Sequence, residues 1–271
     1  MPNRKKPGMA LLAAIFSAAI VSVAQAGARE EGRLLTATEV LEEVRAMPDV
    51  RLPDTLLAHA YGIAVIPDVT KVAFFFGGRH GNGVLSVRDK LTSPWSNPIF
   101  ISLTGGSWGL QFGAQSSDII LVFTTKKGIE GIAGGKLTLG ADASVATGPV
   151  GRQGSAATDM TFSAEIYSYA RTRGLFGGVA LDGSVISIDR SANASIYHKP
   201  GVAASEIFAG QAPAPPATAQ RFLERLAQAT GTAVRTSPAP QAEVPATAGQ
   251  PPGAPPTAEP ARTYPLEEQK K

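Results

Sequence analysis

The chain has 271 residues, a formal net charge of +3 and no cysteine. Arg4, Lys5 and Lys6 lie in residues 1–26 with no anion beside them, so the rest of the chain is neutral and its alkaline character does not argue for nucleic-acid binding. Without cysteine there can be no disulfide framework, thiolate zinc site or cysteine-linked lipid, and the fold must be held by its core.

Residues 1–26 read as an export signal. A positive start is followed by an apolar run from Met9 to Val23 and the small-residue cleavage site Ala24-Gln25-Ala26. That run is shorter than the roughly 20 residues a membrane span needs. The mature chain is therefore expected to begin at Gly27. Residues 27–60 hold four cations and seven anions, and residues 61–210 hold twelve and ten, so an anion-binding surface belongs in the second stretch.

Thr36-Ala37-Thr38-Glu39 has the form of a capping box that opens a helix. Val40, Leu41, Val44 and Met47 follow at helical spacing until Pro48 stops the run. Glu39, Glu42 and Glu43 make its outer face acidic, which suits packing on the body better than lying on a membrane. Pro53 starts a second short helix through Leu56, Leu57 and Ala60.

From Tyr61 the period shortens. Residues 62–66 form an apolar run stopped by Pro67-Asp68, residues 71–76 form another, and residues 77–83 read as a loose turn before Val84 to Val87 returns. Further strands are expected at residues 98–103, at the alternating Trp108, Leu110, Phe112 and Ala114, and at residues 119–124. Residues 126–135 are glycine-rich and allow one helical turn. Alternation resumes over residues 137–145 and 161–166, and residues 175–181 and 185–188 complete the set. Short connections make consecutive strands antiparallel. Twenty of the 29 glycines fall between residues 77 and 183, which implies strong bending. The fold class is α+β: a strongly bent, mainly antiparallel sheet, curled toward a barrel, with the N-terminal helices packed on it.

From Gln211 prolines make a linker, Phe222, Leu223 and Leu226 mark one amphipathic helix, and residues 236–271 are too poor in apolar side chains to order. The expected division is a signal peptide at 1–26, a domain at 27–210, a linker with a short helix at 211–235, and a disordered Pro/Ala-rich tail.

Gly105-Gly106-Ser107-Trp108-Gly109 fits the nucleophile-elbow pattern, with His198 downstream. The elbow needs a helix directly after the serine, and the residues here alternate as a strand does. Gly128 to Lys136 lacks the phosphate-loop register, because Leu137 stands where a magnesium-binding hydroxyl belongs. His59, His80 and His198 have no metal-ligand spacing. No cofactor or metal site is expected. The cations are more suggestive. Lys126 and Lys127 stand at a strand end, Arg152 closes a glycine turn, and Arg171 and Arg173 flank a turn carrying Leu175-Phe176. Basic side chains beside an apolar tip suit an anionic bilayer, whereas composition alone favours scattered solvated charge on a neutral protein.

Trp95-Ser96-Asn97-Pro98, residues 107–115, Gly140-Ala141-Asp142-Ala143, Gly148-Pro149-Val150-Gly151-Arg152, residues 167–178 and Leu181-Asp182-Gly183-Ser184 together resemble the SYLF domain over about residues 35–200. The resemblance implies non-catalytic binding of anionic lipids, phosphoinositides in eukaryotic members, and actin in some fungal ones. Two departures stand out: the first helix is acidic where eukaryotic members insert an amphipathic one, and no SH3 or FYVE module occurs in this sequence. The expectation is an exported, periplasmic or secreted protein, peripherally attached to anionic phospholipid through Arg152, Arg171, Arg173, Lys126 and Lys127. Two other classes stay in view: a structural or partner-binding envelope protein, and a serine hydrolase using Ser107.

Overall fold

The computed structural model describes residues 8–47, 52–73, 76–108, 113–150, 163–172 and 175–232. They all belong to the first of two compact units, Met1–Ser237.

Helix α1 runs unbroken over Gly8–Ala46, so the expected start at Thr36 is corrected. Thr36 is interior to the helix, and its Oγ1 donates to the carbonyl of Gly32 at 3.1 Å instead of capping. A hydroxyl can bond back to the preceding turn as readily as it can cap, and the apolar stripe decided which. Leu34, Ala37, Val40, Leu41 and Val44 are all buried, extending the helical spacing a full turn upstream. Helix α2 follows at Asp54–Ala58, behind Pro53.

Among the described residues nine strands form one strongly curled sheet: β1 Gly62–Ala73, β2 Phe76–Val87, β3 Ile99–Trp108, β4 Gly113–Phe123, β5 Lys136–Thr138, β6 Val145–Thr147, β7 Ile166–Thr172, β8 Leu175–Gly178 and β9 Val185–Ile188. Their order is β5-β9-β3-β2-β1-β4-β7-β6, with β8 also on β7. The β1–β2 hairpin is central. β3 and β4 flank it on either side. All pairs are antiparallel except β6 with β7, which is parallel. One parallel pair fits the mainly antiparallel sheet expected, and the connection between the two strands, residues 148–165, is long enough to allow it.

Pro67-Asp68 does not end a strand. It forms a bulge inside β1, where the register shifts against both neighbours. Asp68 takes φ +49°, and its N–H donates to Asp118 Oδ1 at 3.0 Å. Residues 77–83, expected as a loose turn, are paired strand throughout. The glycines there admit the bulge: a β-carbon on Gly83 would lie 2.3 Å from the carbonyl oxygen of Val65. Bulges bend and twist the strand that carries them, and this one sits in the sheet's central hairpin.

The strand expected through Trp108, Leu110, Phe112 and Ala114 lies largely outside the described residues. β3 ends at Trp108 and β4 begins at Gly113, with residues 109–112 outside the described set. Residues 161 and 162 of another expected strand are outside it too. Residues 126–135 give a full two-turn helix, α3 Lys126–Ala133, with Ile129 and Ile132 turned inward. Two short helices come after the sheet, α4 Arg190–Ile196 and α5 Ala204–Phe208. Asp189 caps α4 by accepting from the Ala192 N–H at 3.0 Å.

Helix α6, Ala217–Thr230, buries Ala219, Phe222, Leu223, Leu226 and Ala227 and ends at Gly231, with φ +64°. Phe222 and Leu226 are fully enclosed and belong to the same core as Leu34, Val65 and Phe100, so the packed body continues past residue 210. Among the described residues no helix is long and apolar enough to cross a membrane.

Candidate functional site

The closed ends of two hairpins mark one end of the sheet. Ala73 pairs with Gly77 across the β1–β2 turn, and Gly113 and Trp108 stand beside that turn on β4 and β3. Two strands over, Thr172 pairs with Leu175 to close β7–β8. The two most exposed large apolar side chains of the described residues are here: Leu175 at 79% and Val72 at 55%. Three strand spacings across and about three residues along the ladder separate them, roughly 17 Å. Leu175 faces out because Phe176, its neighbour on β8, turns in and stacks on Tyr169 at 5.3 Å between ring centroids.

Cations accompany them. Lys71 and Arg79 are directly opposed on β1 and β2, so both side chains leave the same face. Among the described residues neither has a carboxylate partner. Arg79 donates through Nη1 to the Ala180 carbonyl at 3.1 Å, and burial lowers its pKa from the usual guanidinium value. The sequence reading missed this pair because residues 77–83 looked like a turn.

The residues chosen from sequence are placed differently. Arg152 and Arg173 lie outside the described residues. Arg171 is held between carboxylates: Nη2 and Nε donate to Asp118 Oδ2 at 2.6 and 2.9 Å, and Nη1 meets Glu43 of α1. It thereby ties α1 to the β4–β7 ladder. Burial pushes the Asp118 carboxyl upward, opposed by the Asp68 N–H.

Lys126 pairs with Asp89 at 2.5 Å and lies 5.8 Å from the Tyr61 ring centroid, and Lys127 pairs with Glu165 at 3.3 Å. Glu165 immediately precedes β7 and Arg171 is near its other end, about 20 Å away at strand rise. The three described residues therefore do not form one patch.

The remaining candidates are spread along the fold. The larger apolar cleft, about 500 Å3, lies between α1, α2 and α6 beside Leu41, Ile63 and Leu226. Ile63 opens β1, whereas Val72 is near its far end, so cleft and hairpin tips are at opposite ends of that strand. A polar hollow of about 420 Å3 opens at the bulge, beside Arg33, Asp68 and His80. Among the described residues no three metal-ligating side chains cluster. Ser107 lies in β3 opposite Gly77, and β4 begins six positions later, which leaves no room for the helix an elbow requires.

Residues 104–229 match the family described as Ysc84, Las17-binding protein actin regulator. An SH3 domain-containing protein of Schizosaccharomyces pombe is 34% identical over 193 residues, 70% of this chain and 44% of its own length. The SH3 domain-containing YSC84-like protein 1 of Xenopus laevis is 33% identical over 165 residues, 60% of this chain and 49% of its own length. The LAS seventeen-binding protein 3 of Saccharomyces cerevisiae is 33% identical over 177 residues, 64% of this chain and 38% of its own length. The chain thus spans about half the length, or less, of these relatives.

Proposed function

Because the chain carries a domain of the Ysc84/SYLF family, we propose that it works by binding and not by bond chemistry, docking the hairpin end of its sheet on an anionic membrane surface. The observation that carries this reading is the placement of Leu175 and Val72, the most solvent-exposed large apolar side chains described, at one end of the sheet with Lys71 and Arg79. Withdrawing Leu175 from water is worth about 2 kcal/mol and Val72 somewhat less. Each cation near an anionic surface adds about 1 kcal/mol. These contributions total roughly 5 kcal/mol, which corresponds to attachment between millimolar and micromolar strength. The docking is peripheral, reversible and sensitive to salt.

In the same reading residues 1–26 act as a removable export signal, and the domain works in the periplasm or outside the cell. N-terminal sequencing of the protein recovered from an extracellular or envelope fraction tests that part, with Gly27 expected first.

A protein partner is the second reading, favoured by the Las17-binding names of the family and of one relative. Co-flotation of the full chain with phosphatidylcholine vesicles, with and without phosphatidylserine, separates the two. Membrane docking requires flotation only with the anionic lipid, its loss at high salt, and its loss in the Val72→Asp plus Leu175→Asp variant. A wild-type protein that stays in solution beside anionic vesicles at low ionic strength overturns it in favour of the partner reading.

A further inference from the structure

Glu30 of α1 is a buried acid that the fold leaves half paired. It is 5% exposed, yet its Oε2 has no hydrogen-bond partner. Oε1 lies 3.7 Å from Arg33 Nη1, but that nitrogen donates to Asp189 Oδ2 at 3.0 Å. One guanidinium therefore serves two sheltered carboxylates, and the corner is a positive charge short. Among the described residues no other cation pairs with Glu30: Arg29 and Arg190 are exposed, and His80 and Asp68 line the hollow beside Arg33. A buried carboxylate oxygen without a donor weakens the folded state.

The place of Glu30 in the chain points to the missing donor. Helix α1 runs without a break across Ala26 and Gly27, the junction at which the sequence predicts cleavage. In the uncut helix the Gly27 N–H belongs to the main-chain ladder. Cutting that peptide bond turns the same nitrogen into an α-ammonium at the head of the helix, with Glu30 three residues on. At that spacing the glutamate of a capping box reaches back to the backbone nitrogen of the first residue. Residues three apart share a helix face, and side chains lean toward the N-terminal turn. Gly27 is partly buried, and an added β-carbon there would meet nothing within 4 Å, so the approach is open. The cut also leaves Glu30 and Glu31 in the first turn of the shortened helix, where the dipole favours anions.

We propose that removal of residues 1–26 completes this corner: the α-ammonium of Gly27 pairs with Oε2 of Glu30, and the mature fold gains a contact that the precursor lacks. The proposal rests on the export reading for the cut itself, and on the unpaired carboxylate for its effect. Before the cut the orphan oxygen biases the chain toward the unfolded state. After it, the pair fixes the new helix end and, through Arg33, ties it to Asp189, the cap of α4. Removal of the signal is thus also a stabilising step of folding.

Thermal unfolding of three proteins reads the effect: the full chain, a chain starting at Gly27 with a free amine, and that chain acetylated at the same amine alone. The free-amine chain should melt roughly 2–6 °C above the acetylated one, the scale of one charge-assisted contact in a domain of this size, and above the full chain. In Glu30→Gln the gap between free and acetylated chains should close. A chain begun at Ala26 keeps Glu30 but moves the ammonium about 100° round the helix. It should show no gap either, and it keeps the test alive if Glu30→Gln fails to fold.

Nuclear magnetic resonance of the Gly27 α-protons against pH gives a second measurement. The ammonium should lose its proton above the ordinary value of about 8 in the free-amine chain, and at that value in Glu30→Gln. The stabilisation should then be complete below about pH 8 and fade as pH rises through the raised value. Equal melting of free and acetylated chains, or a gap that survives in Glu30→Gln, overturns the pairing. These outcomes do not depend on how the cell treats the precursor. Gly27 first in the recovered protein, with no gap between the prepared chains, keeps the export reading and removes the pair. Residues 1–26 retained in the recovered protein remove the export reading, and the proposal with it.

Discussion

Gly148 lies so close under Tyr169 that a β-carbon there would come within 2.1 Å of the phenol ring. The ring cannot swing away. It is fully buried, stacked on Phe176 within 10° of parallel, and its hydroxyl donates to the Pro149 carbonyl at 3.3 Å. Gly148→Ala should therefore act as an overpacking substitution, costing about 1–3 kcal/mol and lowering Tm by roughly 3–10 °C. Thermal unfolding followed by circular dichroism checks this. A Tm equal to that of the wild type would show that the ring has freedom the packing denies it.

Arg171 supports a different prediction from the one its sequence position suggests. Its side chain is 21% exposed and that of Asp118 12%, so the pair is sheltered, whereas Glu43 is 53% exposed. Arg171→Met should cost about 1–3 kcal/mol by leaving Asp118 without its partner. Glu43→Gln should cost no more than about 0.5 kcal/mol. Denaturant melts of both single variants and the double variant measure the coupling. A charge reversal at Arg171 would unsettle the fold before it reported on lipid, so vesicle experiments are better directed at Lys71, Arg79, Val72 and Leu175.

The sequence carried the class of the fold because most of its core is written in local periods. The stripe Val40, Leu41 and Val44, the runs around Ile63 and Ile120, and the pair Leu223 and Leu226 all face inward as their spacing requires. What it hid was non-local. Residues 77–83 are a strand only because β1 bulges over Gly83 and β3 pairs outside it, and neither neighbour is visible from the glycines themselves. Thr36 and Glu39 satisfied a local capping rule that the longer stripe from Leu34 overrode. Two of the phrases that pointed to the family meet in space: Gly148-Pro149 packs on Tyr169 and Gly178 of the other. Their resemblance therefore reports a packing unit, and the cations among them are partly structural. The site was less legible than the fold because an unpaired charge is defined by what lies across the sheet from it.

Glu165 gives a pH-dependent expectation. The backbone N–H of Ser144 donates to its Oε2 at 2.8 Å, and Lys127 stands beside it, so its carboxyl is held below the ordinary glutamate value of 4.5. The folded state then binds fewer protons than the unfolded chain over that interval, and stability falls as pH drops through it. The contribution is complete above the ordinary value and is lost as pH falls through the lowered one. Glu165→Gln should be less stable than the wild type at neutral pH, and the gap between them should narrow on acidification below about pH 4.5. Parallel acid titrations of the two proteins supply the measurement, and a gap that widens toward acid would contradict the assignment.

Arg88 is the cation whose removal should cost the fold most. It is 3% exposed and meets no carboxylate among the described residues, yet its donors are occupied by backbone carbonyls. Nε reaches Ala60 at 2.6 Å, Nη1 reaches Leu91 at 2.7 Å, and Nη2 reaches Ala58 and Leu57 at 2.9 and 3.1 Å. Its guanidinium carbon lies 4.7 Å from the centroid of the Trp95 ring. The side chain thus closes the C-terminal end of α2, where carbonyls have no intrahelical partner, and joins it to the loop after β2. Arg88→Met keeps the bulk and removes a donor from four carbonyls, of which Leu57 alone still accepts from the Ala60 N–H, so a loss of about 3–5 kcal/mol is expected, near the whole stability of a marginal domain. Arg88→Lys can satisfy at most three of them and cannot reproduce the planar fork, so it should recover only part of that loss. Urea unfolding of the three proteins decides: a lysine variant as stable as the wild type would mean that charge alone, and not the fork, holds this corner together.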